Sequence, residues 1–190
     1  MKKKFMREYG WGILIGLAMA GLVWVLWRGL APVNAAQMNF TKEEVAFPAF
    51  TLADARDPRK EISLKNLKGE PHLVHVWATW CGVCVDEHDN LVKLKKKWPN
   101  VNFVGVVYRD DVKKVRKLFK RKGDPYTYVI NDIGGTLGLE LGLYGTPETF
   151  LLDANGVIRY HQIGAITTSE FEETIIPLIK NLNSQHGINA

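Results

Sequence analysis

Apolar positions along the chain fall into three patterns, and each predicts a different kind of element. The first is an unbroken run from Gly10 to Trp27 (GWGILIGLAMAGLVWVLW) that contains no charged residue. As a helix its residues rise ~27 Å, close to the ~30 Å hydrocarbon core of a bilayer. The second pattern is the short run rich in β-branched and aromatic residues. His72–Ala78 and Val101–Tyr108 read as buried central strands. The third is helical spacing. Cys84, His88, Leu91, Leu94 and Trp98 predict a helix stopped by Pro99-Asn100, while Val112, Val115, Leu118 and Phe119 predict a second, capped by Asp110-Asp111 and ended by Gly123 and Pro125. Towards the C-terminus, Thr149–Asp153 and Val157–Ile163 flank the turn Asp153-Ala154-Asn155-Gly156 and predict a hairpin. Ser169 is expected to cap a last helix, with Glu170, Phe171, Ile175 and Ile176, that runs to about Leu182. Upstream, Phe47–Leu52 predicts a short strand and Ile62–Leu67 a brief element closed by Lys68-Gly69. This order predicts an α/β domain with a mixed central sheet and helices on both faces.

Composition narrows the classes. The chain has 190 residues, 46% hydrophobic and 24% charged, with 17 Gly, 8 Pro and 2 Cys. Collagen, low-complexity disorder and a disulfide-stapled miniprotein are excluded. A net charge of +5 would suit a nucleic-acid binder, but its location argues against one. Lys2, Lys3, Lys4, Arg7 and Arg28 face only Glu8 in the first thirty residues, and the remainder holds twenty basic against nineteen acidic residues. The four basic residues before the apolar run predict a cytoplasmic N-terminus over residues 1–9, a membrane anchor over 10–28, a linker over 29–46 and an exported domain over 47–190. Trp11, Trp24 and Trp27 sit where interfacial rings would. A cleaved signal peptide, with Val33-Asn34-Ala35 as its small-residue site, is the competing reading, although the apolar run exceeds the usual ~7–15 residue core of such signals.

Export sharpens the meaning of the cysteines, which are Cys81 and Cys84 alone. A pair separated by two residues closes a loop too small to remove much unfolded-state entropy, so structural stapling is a poor reason for it. Placed between a central strand and a helix, the first thiol lies at a helix N-terminus, where unpaired amides favour a thiolate, and the second lies one turn on. That arrangement supports dithiol–disulfide exchange. A tetrahedral zinc site would need a second set of ligands. His72, His75 and His161 read as ordinary strand residues, and the helix carrying Lys113, Lys114, Arg116, Lys117, Lys120, Arg121 and Lys122 reads as a solvated face, with a docking patch as the alternative.

The stretch Trp77-Ala78-Thr79-Trp80-Cys81-Gly82-Val83-Cys84 resembles the active site of membrane-anchored thioredoxin-like proteins. Val107-Tyr108-Arg109-Asp110-Asp111, the run from Leu141 through Thr146-Pro147-Glu148-Thr149-Phe150 to Asp153, and Gly156-Val157-Ile158-Arg159-Tyr160 narrow the resemblance to the cytochrome c maturation branch, the CcmG or DsbE type. It covers about residues 47–180. The resemblance implies a thioredoxin fold, no cofactor or metal, and a periplasmic domain on one inner-membrane anchor. It further implies a reducing role towards apocytochrome c or a cytochrome-maturation thiol protein, with electrons from a transmembrane thiol reductant of the DsbD or CcdA type. Carried over by position, Cys81 is the nucleophile and Cys84 the resolving thiol. Pro147 is a cis-proline facing them after Thr146, Trp80 flanks the pair, and Glu87 and Glu148 are acidic residues near the site. The residues alone leave two alternatives open, Glu87 as a solvated helix residue and Glu148 as only the support of a turn. Gly82-Val83 departs from the Pro-Thr of many relatives, and a glycine there loosens the first helical turn by ~1 kcal/mol.

Two other functions fit the same residues. One is a general exported disulfide reductase or oxidant. The other is a module that docks apocytochrome, with the cysteine pair secondary.

Overall fold

The computed structural model describes residues 14–25, 45–185 and 187. Residues 14–25 form a helix, α1, with its described side chains exposed. No described helix is both long and apolar enough to cross a membrane. The rest of the expected anchor, together with residues 1–9 and 29–44, lies outside the described residues. The chain divides into two compact units, Met1–Ala36 and Gln37–Ala190.

The second unit is built on a five-stranded sheet of order β5-β4-β3-β6-β7. Its strands are β3 (His72–Trp77), β4 (Asn102–Tyr108), β5 (Tyr128–Asp132), β6 (Glu148–Leu152) and β7 (Ile158–Ile163). β3, β4 and β5 run parallel, whereas β6 pairs antiparallel with β3 and with β7. Every residue of β3 is buried, as a central strand covered on both faces requires. Alternation along it sends Leu73, His75 and Trp77 to one face and Val74 and Val76 to the other.

The first face is covered by α2 (Gly82–Lys97), α3 (Val112–Lys122) and a C-terminal helical run. That run consists of α5 (Thr168–Glu170), a π turn (Phe171–Ile175) and α6 (Ile176–Gln185). Leu91, Leu94, Val115, Leu118, Phe171 and Ile175 pack there against Leu73, Trp77 and Phe103. The second face is covered by a small sheet of β1 (Thr51–Ala53) and β2 (Glu61–Ser63), a 3-10 turn (Leu64–Leu67) and the short α4 (Thr136–Glu140). Phe47, Ile62, Leu67 and Leu137 meet Val74, Val104 and Phe150 on that side. Helices do lie on both faces, very unequally. The domain's pairing begins within the stretch read as linker, since Ala46 bridges to Val157 and Ile158 donates its N–H to the Val45 carbonyl at 2.9 Å.

Two elements carried no expectation. β5 fills the edge beside β4, burying Val129 on one face and Ile130 on the other, and α4 follows it. The last helix is capped two residues earlier than expected. Thr167 accepts the Glu170 N–H at 3.1 Å, and the Glu170 carboxylate accepts the Thr167 N–H at 3.0 Å in return. Ser169 has no such reciprocal partner, because Glu172, three residues on, instead pairs with Lys97 at 2.6 Å.

Candidate active site

Cys81 and Cys84 are joined as a disulfide at the N-terminus of α2, with Cα atoms 5.3 Å apart. Cys81 is the N-cap residue, and its sulfur accepts the Cys84 N–H at 3.2 Å. A side chain at this position satisfies one of the amides that the first turn leaves unpaired, and the same amide favours negative charge on the sulfur. Cys81 is 8% exposed and Cys84 1%, so the first cysteine is the more accessible of the two. Gly82 and Val83, which are exposed, leave the turn between the two cysteines open to solvent.

Two loops hold this turn in place. Thr79 donates its N–H to the Asp110 carboxylate, whose other oxygen accepts the Asp111 N–H at 2.7 Å. The Trp80 indole donates to the Arg109 carbonyl at 3.2 Å while 57% of Trp80 stays exposed. Arg109 itself takes a φ of 48°. The loop before Cys81 and the loop after β4 are therefore tied at two points.

From the other side, the Thr146–Pro147 bond is cis and the Thr146 carbonyl oxygen lies 3.4 Å from the Cys81 sulfur. Glu148 braces that loop from below. Fully buried, it accepts the N–H groups of Tyr144 at 2.7 Å and Gly145 at 2.9 Å, and His161 Nε2 lies 2.7 Å from its second oxygen. The ring of His161 stacks on Phe150 with centroids 4.2 Å apart. Of the expected residues, the structure thus gathers Cys81, Cys84, Trp80, Thr146 and Pro147 at one edge, with Glu148 as the support of the loop.

Glu87 is not a solvated helix residue. It lies one turn past Cys84 on the inner side of α2, 7% exposed, and its Oε1 is 2.9 Å from His75 Nε2. The spacing is that of an ion pair, without hydrogen-bond alignment. His75 Nδ1 meets the Tyr126 hydroxyl at 2.8 Å. Burial, with Glu87 and Asp124 nearby, pushes the Tyr126 phenol well above its ordinary range, so it stays neutral. The hydroxyl can then donate to Nδ1 and leave Nε2 to carry a proton towards Glu87. His88, next along α2, donates from Nε2 to the Gly123 carbonyl at 2.9 Å, and burial holds its pKa below the ordinary histidine value. Trp77, His88, Phe119 and Tyr126 stack around this pair. His75 is the member of the site missed in the sequence. Its strand alternation placed it on the face of α2, but nothing in the sequence alone identified Glu87 as its partner. Among the described residues no cluster of three or more potential metal ligands occurs.

A strand-to-helix Cys-x-x-Cys disulfide facing a cis-proline loop, on a mixed sheet of this order, defines a thiol:disulfide oxidoreductase with a thioredoxin-like fold. The chain belongs to the Redoxin family, whose model matches residues 42–175, and within it to the DsbE-type thiol:disulfide interchange proteins. It is similar to the thiol:disulfide interchange protein DsbE of Vibrio cholerae, with 43% identity over 135 residues that cover 71% of this chain and 72% of the relative. The DsbE protein of Escherichia coli is 38% identical over 168 residues, 87% of this chain and 90% of that one. Among solved structures, a thiol:disulfide interchange protein of the thioredoxin family from Chlorobium tepidum superposes with a TM-score of 0.59 at 26% identity, covering 72% of this chain and 97% of that one.

Proposed function

We propose that the protein is a periplasmic thiol:disulfide oxidoreductase that reduces apocytochrome c, or a partner thiol protein, for haem attachment. The observation that carries the exchange chemistry is the placement of Cys81, the more accessible cysteine, at the cap of α2 with the Cys84 N–H on its sulfur. In the dithiol state the Cys81 thiolate attacks a substrate disulfide. A bond forms between Cys81 and one substrate sulfur, and the other substrate sulfur leaves and takes a proton. Cys84 then loses its proton and attacks the Cys81 sulfur, which closes the intramolecular disulfide and releases the second substrate thiol. Two electrons pass to the substrate, whose two sulfurs take up two protons, one matching that lost by Cys84 and one from solvent. The disulfide is returned to the dithiol by a transmembrane thiol reductant of the DsbD or CcdA type.

The remaining groups position. Trp80, Thr146 and Pro147 rim the sulfur and leave a backbone edge for an extended substrate segment, while Glu148 fixes the loop and Glu87 is held beneath α2 by His75. The membrane part of the reading, an inner-membrane anchor over 10–28 with the domain on the periplasmic side, is supported by the uncharged run and the four basic residues before it. Names of similar proteins support interchange chemistry, and the stretches around Tyr108 and Thr146 support the cytochrome branch.

Cys84→Ala tests the proposal. With no second thiol to release the bound chain, exchange halts at a mixed disulfide on Cys81. Non-reducing electrophoresis and mass spectrometry of the trapped adducts should identify apocytochrome c or a cytochrome-maturation thiol protein, together with the membrane reductant. Adducts made chiefly of unrelated secreted proteins, in cells whose c-type cytochromes are normal without this protein, would leave a general exported oxidoreductase.

A further inference from the structure

The charge on the domain is concentrated rather than balanced. Beyond residue 30 the chain holds twenty basic and nineteen acidic residues, and α3 alone supplies seven of the basic and none of the acidic. The rest of that stretch therefore carries thirteen basic against nineteen acidic residues. Two of the seven are engaged. Arg116 donates to the Arg56 carbonyl, and Lys122 reaches both the Val85 carbonyl and the Asp89 carboxylate. The other five, Lys113, Lys114, Lys117, Lys120 and Arg121, are exposed. Among the described residues none of these five side chains has an ion-pair or hydrogen-bond partner. At 100° per residue they fall within a stripe about 120° wide along α3. The nearest acidic groups are occupied, Asp111 by capping the helix through the Lys113 N–H and Asp124 by Arg56.

We infer that this stripe docks α3 onto the surface of an anionic lipid bilayer. Two features favour a lipid surface over an acidic protein. α3 presents no exposed large apolar side chain, since Val112 and Phe119 pack against the core, so it lacks the buried anchors on which protein interfaces depend. Four of the five charges are lysines, compact and mobile point charges suited to a diffuse anionic surface rather than the planar fork that reads single carboxylates. The consequence for the site follows from connectivity. The N-terminal end of α3 is tied to the cysteine loop through Asp110 and Thr79, and through Arg109 and Trp80. With α3 lying along the bilayer, the Cys81–Cys84 disulfide stays beside the lipid surface at one end of the helix, within reach of a membrane-embedded thiol donor. The inference rests on the membrane reading proposed above, and the two are separable. Alkaline carbonate extraction reports the anchor, whereas lysine reactivity reports the docking.

The test uses the full chain assembled with nanodiscs of phosphatidylcholine alone, or with about 30% phosphatidylglycerol, and measures acetylation of each lysine by mass spectrometry. Lys113, Lys114, Lys117 and Lys120 should react at least about fivefold more slowly on the anionic discs. The protection should vanish in 0.5 M salt, where the Debye length falls to about 4 Å. Lys65 and Lys68, beside the 3-10 turn on the other face of the sheet, serve as internal references and should not change. Replacing Lys113, Lys114 and Arg121 by Gln should weaken the protection of Lys117 and Lys120 while leaving reduction of a soluble disulfide intact. Equal reactivity on the two kinds of disc would overturn the inference. So would protection given by soluble polyglutamate and not by anionic discs, which would assign the stripe to an acidic protein.

Discussion

Replacing His75 by leucine removes one half of a buried pair and leaves the other without compensation. The two side chains are 1% and 5% exposed, with Nε2 and Oε1 2.9 Å apart. Any attraction across that separation is largely offset by the cost of taking the two polar groups out of water. The net value of the intact pair is therefore small, but the cost of breaking it is not. Without His75 the Glu87 carboxylate keeps its burial and loses the ring N–H that faces it, a loss of ~3–5 kcal/mol. Glu87→Leu is milder. The imidazole left behind can be neutral and keeps the Tyr126 hydroxyl, so the cost is ~1–3 kcal/mol for one unpaired ring nitrogen. Replacing both by leucine removes both desolvation penalties and should return stability to within ~1–2 kcal/mol of the parent. Urea unfolding followed by tryptophan fluorescence reads these values. With a slope near ~2 kcal/mol per molar, His75→Leu lowers the midpoint by ~1.5–2.5 M. If the double variant instead loses the sum of the two single effects within ~0.5 kcal/mol, the two side chains are uncoupled and the pairing argument fails.

Other expectations follow from the same geometry. Alkylation of the reduced protein should modify Cys81 before Cys84, because the first cysteine is the more accessible of the two; preferential labelling of Cys84 would reverse the roles. Asp110→Ala strips the acceptor from the Thr79 and Asp111 amides, and should cost ~1–3 kcal/mol and slow disulfide exchange, whereas unchanged exchange would show that the tie does not hold the cysteine loop. Acidification should destabilise the fold in a defined window. Burial depresses His72 and His88, so the unfolded chain takes up protons first as pH falls below the ordinary histidine value of about 6.5. Stability is thus full above that pH and declines below it. His88→Gln should flatten the decline in urea midpoint between pH 6.5 and 5, and an unaltered slope would remove His88 as a contributor.

Most of the site was legible because its signals are local. The β-branched run His72–Trp77, the Cys-x-x-Cys after it and the apolar stripe of α2 lie within thirty residues, and each sets its neighbour's position. The hairpin was equally plain, since Gly156 takes a φ of 82° in its turn and Asp153 closes it by accepting from Asn155 and Val157. What escaped was non-local. β5 has an aromatic and β-branched run of its own, Tyr128-Val129-Ile130, but it is short and lies between the basic helix and the Ile133-Gly134 turn, so only pairing with β4 makes it a strand. The start of the last helix was decided by which carboxylate was free. Glu170 closes a capping box with Thr167, whereas Glu172 is drawn to Lys97 across the fold. Periodicity alone left a solvated position open for Glu87, because it does not reveal a histidine waiting on β3; its place near the site came from resemblance. The cis bond at Pro147 came from resemblance and agrees with the structure.

The direction of electron flow is the central claim, and the resting redox state of the cysteine pair in cells tests it most directly. Acid quenching followed by alkylation with a mass-shifting reagent separates the two forms of the native chain. A reductant kept charged by a membrane donor should be found mostly as the dithiol, and should shift to the disulfide when that donor is removed. A pair found mostly as the Cys81–Cys84 disulfide with the donor present would contradict the account and make the protein an oxidant.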